Sequence, residues 1–154
     1  MTTPTLGFED DTILSKPQIA LIQLNEAISL FTQVRFLSAL TLAGAAEEIL
    51  GKLLIRQGEI PVIKESTTSI ERLRAETGLQ VMGKASEREM IDAWNQARNT
   101  AKHLVGPEGE SVTLNLCDEA YWMIRRALAN SKKLGLQVVG AQDFENWVVI
   151  NVNM

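Results

Sequence analysis

Apolar positions in the run Ile19-Ala20-Leu21-Ile22-Leu24-Ala27-Ile28-Leu30-Phe31 recur at helical spacing, and Pro17 just upstream suits a first helical turn, so this stretch predicts a first helix. The polar pair Thr32 and Gln33 predicts a tight link to a second helix over approximately Arg35 to Gln57, which Gly58 and then Pro61 close. Two long helices joined this briefly form a hairpin. Midway along the second, Ala43-Gly44-Ala45-Ala46 strips away side-chain bulk and predicts that a neighbouring element comes unusually close there. Ile49, Leu50, Leu53 and Leu54 then restore a bulky face.

The stretch from Glu59 to Gly83 is less regular; Thr68 with Glu71 reads as a capping box opening a minor helix that stops at Thr77 before Gly78. A second capping box, Ser86 with Glu89, opens the next helix, where Met90, Trp94, Ala97, Ala101 and Leu104 form a narrow apolar seam. Gly106-Pro107 predicts its end, and Pro107 to Ser111 reads as a loop. The last long helix is expected from Asn115 to Leu134, with Leu116, Ala120, Met123, Ala127 and Leu134 inward and Gly135 capping it. Residues 1–15 show no sustained period and read as a tail, flexible or docked elsewhere. Residues 16–135 read as one all-α domain with four substantial helices. Residues 136–154 mix apolar and polar positions without a clear period, so their structure stays open.

Composition narrows the function classes. A chain of 154 residues, 45% hydrophobic, matches one domain with a sizeable core. Its formal charge of -4 repels polyanions, so any nucleic-acid contact must use a local basic patch. The single cysteine, Cys117, excludes an intramolecular disulfide and fits a reducing compartment. The opening residues carry Glu9, Asp10 and Asp11 where a secretory signal needs an apolar run, and the apolar stretch Phe36 to Ala46 falls short of the roughly 20 residues of a membrane span. A cytoplasmic protein without membrane contact is expected. One histidine and one cysteine cannot build a zinc cluster, Thr100 stands where a Glu-x-x-His pair needs glutamate, and no glycine-rich phosphate loop or nucleophile motif occurs. No metal and no cofactor are expected.

The candidate chemistry lies in Arg98-Asn99-Thr100-Ala101-Lys102-His103. At about 100° per residue, Arg98 borders the apolar seam while Lys102, Asn99 and His103 fan away from it, with His103 one turn beyond Asn99. The bland reading is strong: cations near a helix C-terminus are favoured by the macrodipole, and an arginine beside a seam commonly packs its stem and pairs with a carboxylate. The spacing of Arg98, the polar Asn99 and His103, however, resembles the Arg-polar-x-x-x-His signature of the HEPN superfamily, the higher eukaryotes and prokaryotes nucleotide-binding domains. The small-residue helix from Leu40 to Leu54, with Glu47-Glu48 and Lys52, is similar to the second helix of many members.

The resemblance implies a four- to five-helix up-down bundle, usually a homodimer, with Arg98 and His103 of both protomers facing a shared cleft. In active members that cleft is a metal-independent ribonuclease; others are non-catalytic modules that bind nucleotide, RNA or a partner protein. Toxin-like members act against an antitoxin-like partner, and one toxin subgroup carries a tyrosine where this chain has Val105, which argues against that subgroup. Carried onto this chain, Arg98, Asn99 and His103 are the expected catalytic set and Lys102 the expected substrate contact. Histidine can serve as base or acid near neutrality and arginine can clamp a phosphate. One imidazole cannot act on both sides of a phosphate in one step, so cleavage requires two chains.

Three further groups admit two readings. Glu47 and Glu48 are adjacent on a helix and cannot face one point; one of them is semi-buried against Arg98, or both are exposed. Trp94, Trp122 and Trp147 read as core or interface residues, with base stacking as the alternative. Arg125-Arg126 and Lys132-Lys133 read as a solvated face, with an RNA-tracking surface as the alternative.

Overall fold

Ser15 opens the first helix as a full capping box with Gln18, and α1 runs over Lys16–Thr32 with Pro17 in its first turn. The computed structural model describes residues 4–103 and 111–152. After the link Gln33 to Arg35, α2 (Phe36–Arg56) folds back along α1. The remaining helices are α3 (Val62–Thr77), α4 (Glu87–Lys102), α5 (Leu116–Lys133) and α6 (Ala141–Asn151). The chain is an all-α bundle, with no strand among the described residues. No helix among them is long and apolar enough to cross a membrane.

Helix α2 is the axis of the bundle, packed along α1 on one side and α5 on another. Leu24, Ile28 and Phe31 of α1 meet Leu40 and Leu50 of α2, Met123 and Ile124 of α5, and Phe144 and Val148 of α6 in one buried core. Alanines at 20, 27, 39, 43, 46, 120 and 127 are buried between these helices, and their small side chains permit the close approach. Phe31 gathers the aromatic end of the core, with ring centroids 5.1 Å from Phe36, 5.2 Å from Phe144 and 4.9 Å from Trp147.

Among the described residues there are six helices, against four substantial ones and one minor one expected, and the longer α3 and the added α6 each have a physical cause. Helix α3 begins at Val62, not at the expected Thr68, because its first amide is satisfied from far away: the buried Asn130 of α5 accepts from the Val62 N–H at 3.0 Å. Thr68 lies inside the helix and donates back to the Lys64 carbonyl, so the expected Thr68–Glu71 box does not form. Helix α6 resolves residues 141–151 of the open C-terminal stretch; the Gly140 N–H at its start donates to Asn25 of α1 at 2.9 Å.

Elsewhere the boundaries fall close to the expected positions. Ser86 and Glu89 cap α4, Asn115 caps α5 by accepting from the Asp118 N–H, and Gly78 and Gly135 take left-handed φ values of 70° and 71° after α3 and α5. Helix α4 ends earlier than expected, at Lys102, and His103 is already extended at φ -132° and ψ 138°. The anticipated seam is correspondingly shorter: Met90 and Ala97 are buried and Trp94 is half-buried, but Ala101 is exposed. Leu104, Val105, Gly106-Pro107 and the start of the expected loop lie outside the described residues.

Candidate functional site

Between α2, α4 and α5 one carboxylate holds two guanidinium groups. Glu47, 5% exposed in its side chain, accepts from Arg126 Nη2 at 2.9 Å and pairs with Arg98 Nη1 at 3.3 Å. The cations are themselves only 12% and 14% exposed. Arg126 spans α4 as well, donating to Asn95 Oδ1 at 2.7 Å and to the Trp94 carbonyl at 3.3 Å. Of the two adjacent glutamates, therefore, Glu47 is the inward one. Glu48 points outward to Lys52, and the Lys52 hydrogen bond is the main reason its carboxyl lies below the ordinary glutamate value; burial opposes this, and the charges of Lys52, Arg98 and Lys102 lower it further.

Helix composition explains why the triad can form. The predicted close approach at Gly44 is real, but what fills it is the Arg98 stem: a Cβ at Gly44 would lie 2.6 Å from Arg98 Cγ and Cδ. Glu47 stands three residues further along the same face, so the arginine lies across Gly44 with its head on the carboxylate. An Ala-rich helix with glycine at this level thus serves as a trough for an extended cation.

The four expected site residues share the end of α4 but not one environment. Arg98 is largely buried, whereas Asn99, Lys102 and His103 are exposed. Asn99 accepts from Arg98 Nε at 3.4 Å, a long bond, and its link to His103 is through the backbone, where the His103 N–H donates to the Asn99 carbonyl at 3.0 Å. Among the described residues, no side-chain hydrogen bond joins His103 to Asn99, so a role for Asn99 in fixing the histidine ring has no support within one chain. Arg98 Nη2 makes no hydrogen bond among the described residues.

Charge is in excess here. Arg98, Arg126, Lys52 and Lys102 surround Glu47 and Glu48, four cations against two carboxylates, in a chain of net charge -4. An anion approaching the exposed edge of Arg98 meets a fixed positive field. Among the described residues, no cluster of histidine, cysteine and carboxylate groups could hold a metal ion. Cys117 is half-buried, and burial, aided by Asp118, raises its thiol above the ordinary value, so it is a poor nucleophile.

A second feature lies on the other side of Arg126. A cavity of about 640 Å³ opens between α3, α4 and α5, walled by Val62, Ile63, Ala93, Trp94, Trp122 and Ala129. Trp122 is 62% exposed on this wall and so is not a core residue, whereas Trp147 packs on Phe31 as expected of a core aromatic. The expected solvated face on α5 holds for the exposed Lys132 and is corrected for the rest: Arg125 forms a two-pronged pair with Glu145 and donates to Tyr121, Arg126 belongs to the triad, and Lys133 pairs with Glu65. Glu145 is the leading cause of the raised Arg125 value. Arg126 is the residue that sequence reasoning missed. The available signal was its place three residues after Met123 and four before Asn130, which puts it beside the buried face of α5.

The fold and this site define an all-α bundle with a buried Arg-Glu-Arg triad beneath a basic helix end. Comparison with protein-family models, curated proteins and solved structures finds no match.

Proposed function

We propose that the chain is a HEPN-like domain that binds RNA phosphate at the end of α4 and, as a homodimer, cleaves the strand without a metal. The observation that supports this reading is the buried Glu47, which fixes Arg98 beside the exposed Lys102 and His103 and leaves cations in excess there. Arg98 Nη2 and Lys102 then meet the phosphate oxygens. Neutral His103 of one protomer takes the proton of the 2'-OH, whose oxygen attacks phosphorus. The bond to the 5'-oxygen breaks, and protonated His103 of the partner subunit gives that oxygen its proton, leaving a 2',3'-cyclic phosphate and a 5'-hydroxyl. The arginines stabilise the charge that builds on the phosphate between these steps. The RNA is cytoplasmic in this reading, and an antitoxin-like protein partner fits the cleaving form.

Labelled RNA incubated with excess chelator tests it. Cleavage that survives chelation, disappears in His103→Ala and falls in Lys102→Ala is expected; both side chains are exposed, so neither substitution disturbs the core. Light scattering should show a dimer, and a strict monomer at working concentrations would remove the catalytic step. A second reading, a non-catalytic RNA- or nucleotide-binding module, is favoured by the pairing of Arg98 Nη1 with Glu47, which spends part of the arginine on structure. RNA retained but left intact by the unmodified dimer would establish that form.

A further inference from the structure

The cavity between α3, α4 and α5 plays no part in the proposed cleavage, yet it has the size of a small-molecule site and a chemically one-sided lining. Trp94 and Trp122 supply aromatic faces, and Ala93 and Ala129 keep the space between α4 and α5 clear. Its polar groups are Ser66, Glu119, Arg125 and Arg126. Both arginines are engaged, one with Glu145 and Tyr121 and the other with Glu47, Asn95 and the Trp94 carbonyl, while Arg126 Nε is buried without a partner among the described residues. Ser66 donates its hydroxyl proton to the Val62 carbonyl at 3.0 Å and is left as an acceptor. Glu119, half-buried on the first turn of α5, has no hydrogen bond or ion pair from its side chain among the described residues. The free acceptors of the lining are Ser66 and Glu119.

A flat ring that presents two neighbouring donors fits that lining. Among nucleobases only guanine carries such an edge, its N1–H and N2–H₂ matching both oxygens of one carboxylate, whereas adenine and cytosine offer a single amine and uracil sets its N–H between two carbonyls. Single-stranded bases are commonly read in this way, stacked on aromatic side chains and hydrogen-bonded along the Watson–Crick edge. Trp94 also precedes Arg98 by one helical turn, about 6 Å along the axis, so the cavity and the α4 end share one helix.

We propose that this cavity binds a guanine base, stacked on Trp122 and Trp94 and held by Glu119. The proposal rests on the reading of the α4 end as an RNA or nucleotide site, but its test does not depend on cleavage. Tryptophan emission of the full chain is titrated with guanosine, with the four nucleoside monophosphates, and with hexanucleotides of guanine-containing or all-adenine sequence. Guanosine and its monophosphate should quench emission and bind at least about tenfold tighter than the other bases. Trp122→Leu should weaken binding about tenfold, and Glu119→Gln should erase most of the preference for guanine while the fold persists, since both side chains lie at the surface of the cavity.

Guanosine lacks a phosphate, so its binding must persist in His103→Ala and Lys102→Ala whether or not RNA is cut; loss of cleavage with retained guanosine binding separates the two readings. A guanine-containing hexanucleotide that binds tighter than the monophosphate identifies an RNA strand as the source of the base, and equal affinity identifies the free nucleotide. Four bases bound equally, no quenching by any of them, or unchanged binding in Trp122→Leu would overturn the proposal.

Discussion

The bundle has two unlike halves. Helices α1, α2, α5 and α6 share a core in which Leu24, Phe31, Leu40, Leu50, Ile124 and Phe144 are fully buried, whereas α3 buries only Ile63 and Thr67 and α4 only Met90 and Ala97. What α3 and α4 lack in apolar contact they replace by directed polar links: Asn130 to the start of α3, Arg126 and Glu47 to the middle and end of α4, and Arg74 to the Val81 and Ala85 carbonyls between them. Hydrophobic burial is non-directional and secures the first half against small changes in shape. The second half depends on a few specific bonds, and the candidate chemistry is mounted there.

That contrast can be broken first at Glu47. Glu47→Ala leaves two largely buried guanidinium groups side by side without their counter-charge, and a loss of about 3–5 kcal/mol is expected in urea unfolding. An effect below that of an exposed substitution would mean that the triad is not what fastens α4. Leu24→Ala in the other half should cost a comparable 2–5 kcal/mol, roughly, through the cavity it leaves. Its hydrogen-exchange pattern should differ, with loosening spread over α1, α2 and α5 instead of concentrated in α4.

Smaller effects sharpen the picture. Gly44→Ala forces its Cβ against the Arg98 stem and is expected to cost about 1–3 kcal/mol while displacing Arg98 from Glu47, visible in a crystal structure of the variant as a lengthened pair. Asn130→Ala removes the acceptor of the Val62 amide and should cost about 1–3 kcal/mol, with the first turn of α3 exchanging its amides fastest.

The smallest expected change is Ser86→Ala, about 1 kcal/mol, confined to the start of α4. The same cap carries a pH dependence. Bonding to the Ser86 backbone amide, and secondarily to its hydroxyl, holds Glu89 below its ordinary 4.5, so the cap contributes stability above that value. That contribution disappears as pH falls through the lowered value, and a two-dimensional NMR titration should show the first α4 amides responding in the unmodified chain but not in Glu89→Gln.

The sequence was readable where one helix states its own limits. Pro17, Ser86 with Glu89, Asn115 and the left-handed Gly135 lie within a turn of the boundaries they mark. It was opaque where a boundary is set by a distant partner: Asn130 begins α3 from 68 positions away, and Asn25 meets Gly140 at the start of α6 across 115. The same division governs the site. Arg98 and His103 share one helix end and could be read from spacing, but Arg126 meets Arg98 through a carboxylate 79 positions before it in the chain.

Glu47 ties the basic helix end to the wall of the cavity, because Arg98 and Arg126 share it. An anion that draws Arg98 away from this carboxylate leaves it to Arg126 alone, and a ligand that shifts Arg126 returns it to Arg98. If either event alters the free energy of the other, the alteration must be equal in both directions, so the affinity gained or lost at the basic helix end is the same factor gained or lost in the cavity. Any such coupling would run through the one buried carboxylate that the two arginines share.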